Sequence, residues 1–344
     1  MSTNTQPTSQ DSPGSVSRPP ALVYNLTSLW RTCILPRFVR RLQRRLCLRG
    51  WERRPDADEI RRRVDYYNPL RSPFTPGEDS RPIADIKLKD SHSAYWYDLM
   101  RYLRAYPTQS RVDFIDGDTW SNPDHPVFAK ARCLDSKAGH CALLRLDSRR
   151  HFMKVDDRIP FEQKKDILLF RGEIYGKPSR LKFFEMWADE EGFDLGDTSR
   201  RNPSKWYKPP MSIPLHFHCK YILALEGNDV ASSLQWICSS NCIPVMPRPT
   251  KESWLMHGAM IPGKHYIEIR PDFSDVKEKI AYYNAHPEEA RAISEASKEW
   301  MRQFSDPRRE NIISYLVADR YIGNIRLTPI SGAKSGEDEK IAIP

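Results

Sequence analysis

The stretch LEGNDVASSLQWICSSNCIPVMP, residues 225–247, sits between two apolar runs. It follows Tyr221-Ile222-Leu223-Ala224-Leu225, a strand-like segment, and closes on a second one at 242–246. Gly227 permits a tight turn, and Asn228 or Asp229 can cap a helix over 229–238. Val230, Ala231, Ser232 and Ser233 then present a small first turn, where free amides and hydroxyls make an anion site. Asp229 works mildly against that use, because an acid in the first turn competes for the same amides. The same turn chemistry also serves α/β proteins that bind no anion there. Strand, turn, helix, strand is the unit of a parallel sheet with helices on both faces.

The alternation continues outward. Strand-like runs lie at Asp166–Phe170 and His265–Arg270, with a helix near Arg180–Glu190. Three helices close the chain. One spans Asp275 to Asn284, one opens at Pro287, and the last has Asp306 as N-cap and Pro307 at its first position. Towards the N-terminus, helices are expected at Asp56–Tyr67 and Ser93–Arg104. Strands are expected at Val112–Ile115, Val127–Arg132 and Ala142–Leu146. The fold class is α/β.

The whole chain fits that reading. It has 344 residues, 39% of them hydrophobic and 11% aromatic, enough for two domains with real cores. The net charge of +9 favours polyanionic partners without choosing among them. The seven cysteines form no CxxC pair, and free thiols in a reducing compartment are expected. The histidines form no metal frame, and no P-loop or GxSxG elbow is present.

Residues 1–28 are rich in Ser, Thr, Pro and Gln and read as a disordered tail. They contain no apolar core of a secretory signal, and no run is long enough to span a membrane. A cytoplasmic location is expected, peripheral to the inner face of the plasma membrane. Residues 29–54, LWRTCILPRFVRRLQRRLCLRGWERR, hold nine arginines and one acid. Phe38, Leu42 and Leu46 recur every four residues among them, a basic amphipathic helix over 37–49. It is either an interfacial segment that meets anionic lipid or a helix packed on the body with a solvated arginine face.

Two further motifs carry candidate chemistry. In Leu169-Phe170-Arg171-Gly172 an apolar strand ends on an arginine and a glycine, and Lys177, Ser179 and Arg180 follow one loop later. Arginine suits bidentate phosphate contact, although either arginine can equally be a solvated surface residue. In Phe114-Ile115-Asp116-Gly117-Asp118-Thr119-Trp120 two acids stand at a strand end. They can hold a divalent metal as an Asp-x-Asp pair, one can act as general base, or they can form a plain Asx turn.

Taken together, FIDGDTW (114–120), ILLFRG with KPSR (167–180), and the 219–247 segment resemble glycosyltransferase family 90. ESW (252–254) and GKHYIEI (263–269) extend the likeness. This is the CAP10-like group, which includes protein O-glucosyltransferases and LpsA-like lipopolysaccharide-core transferases. YYNAHPEEA (282–290) and KEWMRQFSDPRRE (298–310) look like the bacterial branch. The similarity runs roughly from Ile60 to Tyr321.

The resemblance implies a GT-B architecture, two Rossmann-like domains facing across a cleft. Residues 55–165 would form the acceptor and base domain and 166–325 the nucleotide-sugar domain, with 326–344 a flexible tail. It implies an inverting transfer of a hexose, glucose or galactose, from a UDP-sugar to an acceptor hydroxyl of lipopolysaccharide core or another surface glycan. No cofactor and no metal are implied. Asp118 matches the catalytic base, with Asp116 as rival. Arg171, Gly172 and Arg180 match the diphosphate-holding positions, and Gly227, Asn228, Asp229, Ala231, Ser232 and Ser233 the donor cradle. The sequence departs from the eukaryotic members at Ser233, where those often carry arginine. The partners implied are the donor, a glycan or glycolipid acceptor, and an anionic membrane surface met through Arg37–Arg49, with no nucleic acid. Two other classes remain open: a metal-dependent GT-A-type transferase using Asp116 and Asp118, and a noncatalytic nucleic-acid or membrane binder driven by the arginine cluster.

Overall fold

The structure is a computed structural model, and it describes residues 13–326. At its centre is a five-stranded sheet in the order Ile267–Glu268, Ile243–Met246, Cys219–Leu223, Lys165–Gly172, Phe193–Asp197. Every neighbouring pair is parallel. Parallel strands are buried on both faces, and the side chains divide by period 2. Leu168, Phe170, Tyr221, Leu223 and Val245 enter one apolar cluster with Phe183 and Phe184 of the Pro178–Trp187 helix. Leu169, Ile222 and Met246 enter another, with Trp236 and Ile237, and Cys219 joins it because the ladder shifts register between Cys219 and Tyr221.

Counted along the chain, the strands lie in the order 2-1-3-4-5. The connection therefore reverses direction between Lys165–Gly172 and Cys219–Leu223, and in such sheets the crevice at the carboxyl ends of those two strands is where ligands bind.

The first half of the chain is built differently. Residues 113–115, 127–129 and 141–143 run side by side as a short parallel array. Phe114 bridges Phe128, and Val127–Ala129 pairs with Cys141–Leu143. Otherwise the two-stranded pairs there are antiparallel, and Phe74 makes a single parallel bridge to Ile325. The helices Ala57–Tyr67 and Ser93–Leu103 pack on this array, together with the final helix Pro307–Gly323, which crosses back from the other half. Asp306 caps that last helix as expected, its side chain accepting from the Arg308 amide at 2.9 Å. A buried pair fastens the crossing: Arg63 donates to Glu310 Oε1 at 2.6 Å and Oε2 at 2.9 Å.

Three expectations change. Residues 14–17, read as part of a disordered tail, form a strand paired with Lys154–Asp157, and Ala21–Leu29 is helical. Residues 1–12 and 327–344 of the two expected tails lie outside the described residues. The helix expected from 229 begins only at Leu234 and ends at Cys238, because Asp229 is committed to a turn. Finally, two of the nine arginines at 29–54 are neutralised within the fold, Arg44 by Asp319 and Arg54 by Asp56 and Asp306, and just beyond them Arg61 pairs with Asp58 and Arg62 with Glu59. All seven cysteines are free.

Candidate active site

The carboxyl ends of the two parallel arrays meet, and Lys130 stands where they meet. It follows strand Val127–Ala129, is nearly buried, and places Nζ 2.9 Å from Asp118 and 3.0 Å from Asp229. A buried ammonium is tolerable only if paired, and here two carboxylates and the face of Tyr95 surround it. Burial works against the charged lysine, but Asp229, Tyr95 and Asp118 outweigh it and hold its pKa above the ordinary range.

Asp118 is the more exposed of the two acids. Burial pushes its carboxyl up, yet the Lys130 hydrogen bond and charge and the Asn228 amide together bring its pKa below the usual value. It is an ionised carboxylate open to solvent on one side. Gly117, at φ 139°, gives the backbone the turn that separates it from Asp116. Asp116 faces elsewhere, accepting from the His92 amide at 2.8 Å. The two acids diverge, and among the described residues no group of three His, Cys, Asp or Glu could hold a metal.

Asp229 is buried. It accepts from Lys130, from the Thr119 amide at 3.3 Å, and from its own neighbour Val230 at 2.7 Å. It ties the Asp118 loop to the Gly227 turn, so its carboxylate is already committed to Lys130 and two backbone amides.

Three cations ring that turn. Arg180 donates to the carbonyls of Leu225 at 2.9 Å, Glu226 at 3.3 Å and Glu173 at 2.8 Å. Gly227 leaves room for this approach: a Cβ there would lie 3.1 Å from Arg180 Nη2, so the guanidinium would have to shift by a few tenths of an ångström. Lys177 donates to Asn228 Oδ1. Lys251 donates to the carbonyls of Asn228 at 2.6 Å and Thr119 at 2.9 Å. Among the described residues none of the three forms an ion pair. Burial lowers the Arg180 pKa, the Glu173 charge opposing it, but a guanidinium remains charged. Trp120, largely exposed, lies 5.8 Å from both Lys177 and Lys251.

Beside the turn opens a mainly apolar cavity of about 170 Å³, walled by Val230, Ala231, Met246, Pro247 and Phe273 among others. Glu226 accepts from the amides of Thr250 at 2.9 Å and Lys251 at 3.1 Å, which fixes the rim. His257 also lines it. Its Nδ1 accepts from the Ser253 amide at 3.1 Å, so Nε2 carries the proton, buried and without a partner. Burial lowers this imidazole to about 4.

The structure thus brings together Asp118, Arg180, Gly227 and Asn228, with Ala231 in the cavity wall and Ser232 and Ser233 in the turn before Leu234. Gly172 ends its strand at the same crevice. Arg171 does not join them. Its guanidinium donates to Asp194 Oδ2 at 2.7 Å and to the Asp194 carbonyl at 2.8 Å, on the neighbouring edge strand. Lys130, Lys251, Trp120 and His257 were not picked out by sequence. A single lysine inside the apolar run Val127–Ala131 was the available signal, since a charge there needs a partner.

The crevice at the switch point of the parallel sheet thus places the cations Lys177, Arg180 and Lys251 around one turn, near the Asp118 carboxylate. Residues 142–318 match the glycosyl transferase family 90 model. The O-glucosyltransferase LpsA of Dichelobacter nodosus is 37% identical over 263 residues, 76% of this chain and 82% of that one. The chain belongs to glycosyltransferase family 90 and is a glycosyltransferase. Asp118 and Lys130 precede the matched interval.

Proposed function

We propose that the protein is an inverting hexosyltransferase that moves glucose from a UDP-sugar to a hydroxyl of a lipid-anchored core oligosaccharide. The observation that carries this is the set of cations without ion pairs, Lys177, Arg180 and Lys251, around the Gly227–Asn228 turn opposite Asp118. A diphosphate is the ligand whose charge such a set matches. The apolar cavity beside it suits a nucleobase, with the His257 Nε2–H as a donor in its wall. The choice of glucose follows the similarity to an O-glucosyltransferase. Carboxyl-end crevices meeting from two parallel arrays are what a GT-B arrangement supplies, and they support that reading of the two halves.

In the mechanism, Asp118 takes the proton from the acceptor hydroxyl, whose oxygen attacks the anomeric carbon. The bond from that carbon to the diphosphate oxygen breaks on the opposite face, and inversion follows. The charge growing on the leaving diphosphate meets Lys177, Arg180 and Lys251, which occupy the role a metal would fill in a GT-A enzyme. Lys130 keeps Asp118 ionised and aimed. Asp116 and Asp118 spend their carboxylates on different partners, which favours base over metal pair.

The test is release of UDP from a panel of UDP-sugars, in EDTA, with lipopolysaccharide-core acceptor. Acceptor-dependent turnover with UDP-glucose, lost in Asp118→Ala, is expected. Turnover only with added manganese, or no UDP binding at all, would overturn the proposal.

A further inference from the structure

The basic helix Arg37–Leu48 is packed inside out. Arg40 is buried and Arg44 reaches inward to Asp319 at 2.7 Å and lies 5.1 Å from the Tyr106 ring centre. Phe38, Leu42 and Leu46 point to solvent, and Phe38 is 71% exposed. The preceding segment does the same: Leu22, Leu26, Trp30 and Ile34 are all exposed at a spacing of four. The segment is nonetheless fixed to the body. Tyr24 donates to Asp98 Oδ1 at 3.1 Å, and Thr32 is buried. A row of large apolar side chains held outward in this way exceeds the scattered exposure normal for a monomer.

Charge says what covers it. Arg31, Arg37, Arg41 and Arg45 flank the row, and among the described residues none of them forms an ion pair. Behind the row lies a cavity of about 390 Å³ lined by Trp30, Arg31, Arg40, Arg101, Asn311 and Tyr315 among others, with no acidic residue in its wall. Arg40 is 3% exposed, and its Nε and Nη2 have no partner. A buried guanidinium without a counter-charge is costly, and an entering anion would relieve it.

We propose that the Ala21–Leu48 segment is a docking surface for an anionic lipid bilayer. The apolar row enters the boundary between headgroups and acyl chains, and a lipid phosphate enters the cavity to meet Arg40, Arg31 and Arg101. An interfacial helix with apolar residues outward and arginines at its flanks binds lipid in this manner. The surface does not depend on the reading of the donor site.

The experiment is flotation of the full chain with phosphatidylcholine vesicles, with and without phosphatidylglycerol. Binding only to the anionic vesicles is expected. Phe38→Glu, at an exposed position, should weaken it roughly ten- to a hundredfold, the ratio for losing a buried phenylalanine. Arg40→Gln and the exposed Arg31→Gln should each lower it about fivefold. UDP binding by calorimetry should be unchanged in all three, which separates this surface from the donor site. Wild-type vesicle affinity in Phe38→Glu would overturn the docking surface. So would self-association lost in Phe38→Glu without vesicle binding, or oligonucleotide binding that survives it and competes with vesicles. Wild-type affinity in both arginine variants would overturn the phosphate cavity.

Discussion

Lys130 joins Asp118 to Asp229, with Nζ 2.9 Å from one carboxylate and 3.0 Å from the other. One side chain thereby sets both the charge of the proposed base and its position against the Gly227 turn. The relation separates the two acids of FIDGDTW. Asp118→Asn should lower kcat by roughly a hundred- to ten-thousandfold, the share of a general base, with UDP affinity retained. Asp116→Asn removes only the charge and keeps an oxygen that can accept from the His92 amide, so it should cost about tenfold or less. Equal losses in the two variants would show that the base is not assigned by this geometry.

The pH profile reads the same lysine. Asp118 lies below the usual carboxylate range because Lys130 and Asn228 outweigh its burial. The acid limb of kcat/KM should therefore lie below the ordinary aspartate value. Lys130→Gln removes the charge, so the limb should move to higher pH. Asp229 would also lose its cation, and a lower melting temperature should accompany the shift. A limb that stays in place would mean that another group titrates.

Donor binding should track the three cations. Arg180→Ala and Lys251→Met each remove a charged hydrogen-bonding group, worth roughly 1–3 kcal/mol, or about five- to a hundredfold in the KM for donor. Arg171→Ala should instead act on the fold, since Arg171 is bound to Asp194. Its expected signature is a lower melting temperature with a near-normal donor KM. A large rise in KM for Arg171→Ala would mean that it leaves Asp194 when donor binds.

Much of the sheet was legible from the chain because parallel strands read as apolar runs, and the strands around 221 and 243 fall close to where the pattern puts them. The grouping of the candidate site was legible wherever a motif is local: Asp118, Arg180, and Gly227 with Asn228 lie together. It was hidden where a residue's meaning depends on distant partners. Asp229 looks like a helix cap, but a lysine from residue 130 uses its carboxylate, and the helix starts at Leu234 instead. Arg171 looks like Arg180 in sequence, yet Asp194 on the adjacent strand captures it. Amphipathicity of residues 37–48 is plain in the spacing. Which face turns inward was not, because Asp319 and Tyr106, which attract the arginines, lie far away in sequence.

The Arg63–Glu310 pair should dominate the stability of the first half. Both side chains are buried, and Glu310 also accepts from Trp254 Nε1 at 2.5 Å. Glu310→Ala strands a buried guanidinium and should cost about 3–5 kcal/mol, read from the urea midpoint. Replacing both, Arg63→Met with Glu310→Leu, should restore most of it, because neither charge is then left unpaired. A double variant as unstable as the single one would show that shape, not charge, is what the pair supplies.

Asp98 offers the opposite sign. It is buried, and burial raises its pKa from 3.8 to about 6, against the hydrogen bonds of Ser148 and Tyr24. A carboxyl raised on folding contributes fully below its unfolded pKa, and the contribution is lost as pH rises through the folded value. Stability attributable to Asp98 should therefore fall between about pH 4 and pH 6, by on the order of 3 kcal/mol. Asp98→Asn removes the titration and should flatten the melting temperature over that window. Because Tyr24 donates to Asp98, and donates more strongly to the ionised carboxylate, the Ala21–Leu29 helix should be held more tightly as pH rises through that window, whatever the rest of the fold loses. Limited proteolysis near residues 21–34 measures this. Cleavage that is independent of pH in the wild type, or equally pH-dependent in Asp98→Asn, would remove Asp98 as the cause.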